Sequence, residues 1–224
     1  MPHGRLEILI GGDPRLKDLG HFLEAAEVVY GRLYVILESQ GVTRTELLRR
    51  LRAPARSISP ADRLHLHLVQ PGSVLLILGG FMSALTILGI VLAVVERFTK
   101  IRKNIAQTRK ADAEKWYLEE LAKKTSADRA LSLHKLEERL ERAARSGNVR
   151  AWADAIGVAQ GESQRLGLDV DAKPARELPA AVEELAAALR KAGLRHAEVR
   201  KEIDDTLRPA AKLKSIEIIR IELK

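Results

Sequence analysis

The residues of this chain best suited to chemistry by type and spacing are His65 and His67, in the stretch Leu64-His65-Leu66-His67-Leu68-Val69. In a strand, residues two apart share a face, so the two imidazoles could ligate one metal ion while the leucines turn inward. The ligand set stops there. The chain contains no cysteine, and Asp62 alternates onto the leucine face if the strand extends that far. The expectation is an ordinary polar strand face and no metal.

Other patterns fall short in comparable ways. Gly11-Gly12 follows an apolar stretch, Leu6 to Ile10, but the third glycine of a dinucleotide loop and the Gly-Lys-Ser/Thr of a triphosphate loop are missing. Asp169 and Asp171 lack the further acids, central glycine and terminal glutamate of a calcium loop. Histidines stand apart at 3, 21, 65, 67, 134 and 196, and no serine has a glycine-elbow context. Phe22, Tyr30 and Tyr34 recur at helical spacing and read as core rather than as a ligand cage. Catalytic, cofactor-binding and metal-binding residues are therefore all expected to be absent, no cofactor is expected, and the expected function is non-enzymatic.

The elements around these residues are organised by Ser73 to Val95, a run without a charge that ends at Glu96 and Arg97. As one helix it measures about 33 Å, against a hydrocarbon core of about 30 Å. From Phe81 onward its apolar residues keep to no single face, as in a membrane span or the centre of a large core. The seventy or so residues ahead of it are too few to wrap it, and Gly79, Gly80, Ser83, Ala84 and Gly89 suit close helix packing in a bilayer. The leading expectation is a transmembrane helix, with the lipid bilayer as partner and most of the chain cytoplasmic.

A competing reading breaks the run. Leu64 to Val69 alternates like a strand, Pro71-Gly72 is a turn, and Val74 to Leu78 returns as a second strand. That leaves Phe81 to Val95 as a helix of about 22 Å, short for a span and suited to a protein core or to one leaflet. The protein would then be a soluble cytoplasmic α+β interaction or oligomerisation module.

Charge does not decide between them. Lys and Arg total 38 against 30 Asp and Glu, a formal charge of +8, and basic residues flank the run on both sides. Orientation by loop charge is thus weakly determined, though the denser cluster after Val95 favours a cytoplasmic C-terminal part. With aromatics at only 4%, stacking platforms are sparse and nucleic acid is not an expected partner. No small-molecule ligand is indicated. Met1 to Arg5 leads into Leu-Glu-Ile-Leu-Ile-Gly-Gly-Asp instead of a signal-peptide core, so the first seventy residues are expected in the cytosol.

The fold class expected is α+β, mostly helical, with a small sheet from N-terminal, central and C-terminal strands, one strongly apolar helix and a helical hairpin or bundle. In segments this is an α/β portion at 1–72, the hydrophobic segment at 73–95, a charged helical or coiled-coil region at 96–146, a helical region at 147–212 and a terminal strand at 213–224. Helices are expected over Leu16 to Glu38, Arg44 to Arg52 behind the capping pair Thr43 and Glu46, Val149 to Gln164, Pro179 to Lys191 and Arg195 to Leu207. Leu131, Leu133, Leu136 and Leu140 supply an apolar stripe through which self-association is expected. In Leu213 to Leu223 the doubled Ile218-Ile219 shifts the alternation by one, as a bulge or two-sided burial would. A lone strand is not stable in water, so this one should join the sheet and bring the termini together, which forbids a single membrane crossing between them.

Overall fold

A computed structural model describes residues 3–11, 14–66, 74–116 and 125–224. Strand β1, His3–Ile10, is central to an antiparallel sheet of order β2-β3-β1-β4. It pairs along its whole length with β3, Val74–Phe81, from His3 opposite Phe81 to Ile10 opposite Val74. On its other side lies β4, Ile218–Leu223, with Leu6 opposite Leu223 and Ile8 opposite Ile221. The short β2, His65–Leu66, borders β3. Alternation decides the faces: Leu6, Ile8 and Ile10 of β1 and Leu76 and Leu78 of β3 are buried together on one side. His67 lies outside the described residues, and among those described no cluster of histidines and carboxylates has the makings of a metal site.

The uncharged run is divided between two elements. Its first part is β3, and at Phe81 the chain turns directly into α4, Met82–Trp116, a single helix that continues into the charged region. By length and composition α4 is apolar enough to cross a bilayer. Within the fold it is the central element: the sheet packs on one side, and α1, Leu16–Leu37, α6, Val149–Gly161, and α8, Lys173–Lys191, on the others. Ala84, Leu85, Leu88, Val91, Leu92, Val95 and Phe98 are all at most 1% exposed. Burying each such side chain contributes about 1.5 to 3 kcal/mol against leaving it in water.

Glycines mark where the layers approach most closely. A Cβ on Gly89 would sit 3.2 Å from Leu6 Cδ1, so the absent side chain lets α4 settle on β1. On the far side, the Phe98 ring stacks on Trp152 of α6 at 4.8 Å and 4°, and Trp152 Nε1–H donates to the Ala143 carbonyl in α5, Thr125–Ser146. The apolar stripe of α5 is spent within the chain: Leu133, Leu136 and Leu140 are buried, and only Leu131 remains exposed.

Several boundaries differ from the sequence reading for identifiable reasons. Helix α8 begins at Lys173 with Pro174 in its first turn, so Pro179 lies inside the helix, on its exposed face. Proline lacks only its own N–H there, and an exposed site leaves the freed carbonyl within reach of water. The helix from Val149 ends at Gly161, after which α7, Ser163–Leu166, forms one more turn closed by Gly167 at φ 66°. Leu213 belongs to a 3-10 segment, Arg208–Ser215, that follows α9, His196–Leu207, so β4 is shorter than the apolar pattern suggests. The bulge is present where the doubled isoleucine placed it: Ile10 faces Ile218, Leu9 faces Arg220, and Ile219 is the extra residue.

Candidate functional site

Two surfaces gather polar groups. The first is at the end of the sheet where β1 starts and β3 stops. Tyr30 of α1 donates from its hydroxyl to the Asp62 carbonyl at 2.6 Å and accepts the Phe81 N–H at 2.7 Å. Gly80 makes this possible, because a Cβ there would lie 2.6 Å from the Tyr30 oxygen. One helical turn on, Tyr34 donates to Asp62 Oδ2 at 3.1 Å, Ser59 donates to the same oxygen at 2.6 Å, and His3 Nε2 is 3.5 Å from Oδ1. Close by, His3, Arg5, His65, Gly79 and Lys224 line a shallow depression of about 470 Å³.

The electrostatics of this cluster favour fixed protonation states. Burial, opposed in part by the bond from Phe81, pushes the Tyr30 phenol up to about 12. Burial and the bond to Asp62 push Tyr34 up to about 12 as well. Donated hydrogen bonds, first that of Ser59, hold the Asp62 carboxyl below its usual range. Protonated phenols beside an ionised carboxylate whose Oδ2 already accepts two hydrogen bonds make good struts and poor nucleophiles. The cluster therefore pins the loop before β2 to α1 and to the end of β3. The sequence reading placed Tyr30 and Tyr34 in the core and did not connect either to Asp62. That link needs residues from three separate segments.

The second surface is a groove of about 530 Å³ between β4 and α4, lined by Glu96, Lys100, Lys103 and Asn104 on the helix and by Glu217, Ile218 and Ile219 on the strand. Burial raises the Glu96 carboxyl, with Arg97 and Lys100 opposing it. Arg97 reaches Asp171 at 3.0 Å, tying α4 to the loop before α8. Among the described residues no strand borders the outer edge of β4. Ile219 and Leu223, exposed by 55% and 42%, stand on that edge.

Some of the basic residues elsewhere are held in ion pairs. Arg32, 14% exposed, binds Glu202 at 2.6 Å, the Thr206 hydroxyl at 3.1 Å and the Leu51 carbonyl at 2.9 Å, joining α1 to α9 and to α2, Arg44–Arg52. Arg44 pairs with Glu198, and Arg49 and Arg50 both pair with Glu46. Thr43 caps α2 by accepting the Glu46 N–H, while the Glu46 carboxylate turns to those arginines instead of completing a capping box. Set against family models, curated proteins and solved structures, the chain matches none of them.

Proposed function

We propose that this protein is a non-catalytic, soluble interaction module whose apolar helix is its own core. One observation carries the reading: between Met82 and Thr99 no residue of α4 is exposed. A span in lipid would present an apolar side to the acyl chains, whereas here the sheet, α1, α6 and α8 pack against the helix and leave a stripe that includes Met82, Thr86, Ile90 and Ala93 half-buried. The topology adds support. Because β3 precedes α4 directly and β4 ends the chain in the same sheet, the segments before and after the helix sit side by side. One crossing of a bilayer would separate them.

The competing reading, a membrane-associated anchor or effector, is favoured by the length and apolarity of α4. Expression without detergent, followed by fractionation and carbonate extraction, separates the two. A monodisperse soluble species is the expected result, and a carbonate-resistant membrane pellet overturns the proposal. Leu88→Arg sharpens the test, since Leu88 is 0% exposed. In a packed core the unpaired charge should abolish soluble, folded protein, whereas in a span it should only reduce insertion, by about 2.5 to 3.5 kcal/mol at the bilayer centre.

A further inference from the structure

We infer that β4 pairs edge to edge with β4 of a second copy of this chain, antiparallel and centred on Ile221, joining two sheets into one. This deepens the proposed function and rests on the soluble reading above. The backbone alignment comes first. Arg5 and Lys224 exchange both their N–H···O bonds at 2.8 Å, and Glu7 and Leu9 face Glu222 and Arg220 in the same ladder. In an antiparallel ladder such doubly bonded pairs alternate, so residues 220, 222 and 224 turn their backbone groups toward β1 while 221 and 223 turn theirs to the open edge.

A second strand can therefore bond through Ile221 opposite its own copy, which brings Leu223 of each chain beside the bulged Ile219 of the other. Between these lie the closely spaced pairs, which place Arg220 against Glu222 twice across the dyad. Shifting the register to the next hydrogen-bonded alignment in either direction sets Arg220 against Arg220 or Glu222 against Glu222, and both repel. Edge strands usually carry charges and bulges that discourage pairing. Here the charges are self-complementary about Ile221, so they select one register rather than blocking all of them. The same pairing covers Ile219 and Leu223, two of the exposed large apolar residues of the described chain. Few backbone groups are engaged around Ile221, so the dimer should dissociate on dilution.

The test is sedimentation equilibrium of the full chain over a concentration series, against a chain mass of 24.8 kDa. Twice that mass at high concentration is expected. Arg220→Glu and Glu222→Arg should each weaken the dimer by about tenfold or more, since each turns two attractive pairs into two repulsive ones. The double exchange, Arg220→Glu with Glu222→Arg, should restore it. Mixing the two single variants should also give a heterodimer, because each then offers the charge the other needs, and circular dichroism confirms that both are folded. A soluble monomer at every concentration overturns the inference and leaves the proposed function standing. A dimer indifferent to these charges overturns the register and with it the inference. A membrane pellet instead overturns the reading on which it rests.

Discussion

Tyr30 and Phe81, 51 residues apart, are joined by a 2.7 Å bond from the Phe81 backbone N–H to the Tyr30 hydroxyl. The bond sits where β3 becomes α4, so a side chain of α1 fixes the point at which the apolar run changes from strand to helix. The same hydroxyl donates to Asp62, which leaves neither partner unsatisfied.

Tyr30→Phe should accordingly cost more than the loss of one ordinary bond. It removes the acceptor of a buried N–H as well as the donor to Asp62, and a buried group left unpaired costs about 1 to 3 kcal/mol. Tyr34→Phe loses a single donated bond at a less buried site and should cost about 0.5 to 1.5 kcal/mol. Gly80→Ala should match or exceed Tyr30→Phe, because its methyl would clash with the Tyr30 oxygen at 2.6 Å. Urea unfolding of the three variants checks the order. Equal losses for Tyr30→Phe and Tyr34→Phe would contradict it.

This region also shows how far the sequence carries. The strand from Leu6 to Ile10, the return strand from Val74 and the bulge at Ile218-Ile219 were legible from alternation among neighbours a few positions apart, while the Pro71-Gly72 turn lies outside the described residues. The joining of the termini followed instead from the instability of a lone strand. Gly80 and Gly89 were read as small residues suited to packing in a membrane. The structure gives them individual reasons, room for the Tyr30 hydroxyl and for Leu6, that depend on segments far away in the chain. The wrapping of α4 was hidden for the same cause. Counting only the residues ahead of the run missed that α6 and α8, which follow it, supply the cover. Of the two surfaces, the apolar edge of β4 could be read from its isoleucines, whereas the Tyr30, Tyr34 and Asp62 cluster could not.

The part-buried pair of Arg32 and Glu202 links α1 to α9 with both side chains 14% exposed. Arg32→Leu leaves the Glu202 carboxylate without its cation; one-sided loss of a fully buried pair costs about 3 to 5 kcal/mol, and this part-buried one should cost less than that. The effect extends to α2, since Arg32 also satisfies the Leu51 carbonyl. Replacing both members, Arg32→Leu with Glu202→Leu, should recover a substantial part of that loss, because no charge then remains buried alone. Thermal melts of the single and double variants measure it. A double variant less stable than Arg32→Leu would show that the pair contributes more than the avoidance of an orphaned charge.

Glu96 lies at the groove between α4 and β4, and burial raises its carboxyl above the usual value despite Arg97 and Lys100. A carboxyl whose folded pKa exceeds its unfolded one binds its proton more tightly when folded. Its contribution is then favourable while the group is protonated in both states, and it is lost as pH rises through the unfolded and then the folded value. At neutral pH the ionised group therefore works against the fold. Glu96→Gln should raise the thermal midpoint there, and the difference from the parent should vanish below about pH 4, where both side chains are neutral. Melting curves of the two proteins across this range test the sign. A parent protein more stable than Glu96→Gln at neutral pH would mean that attraction to Arg97, 3.2 Å away, outweighs the cost of burial.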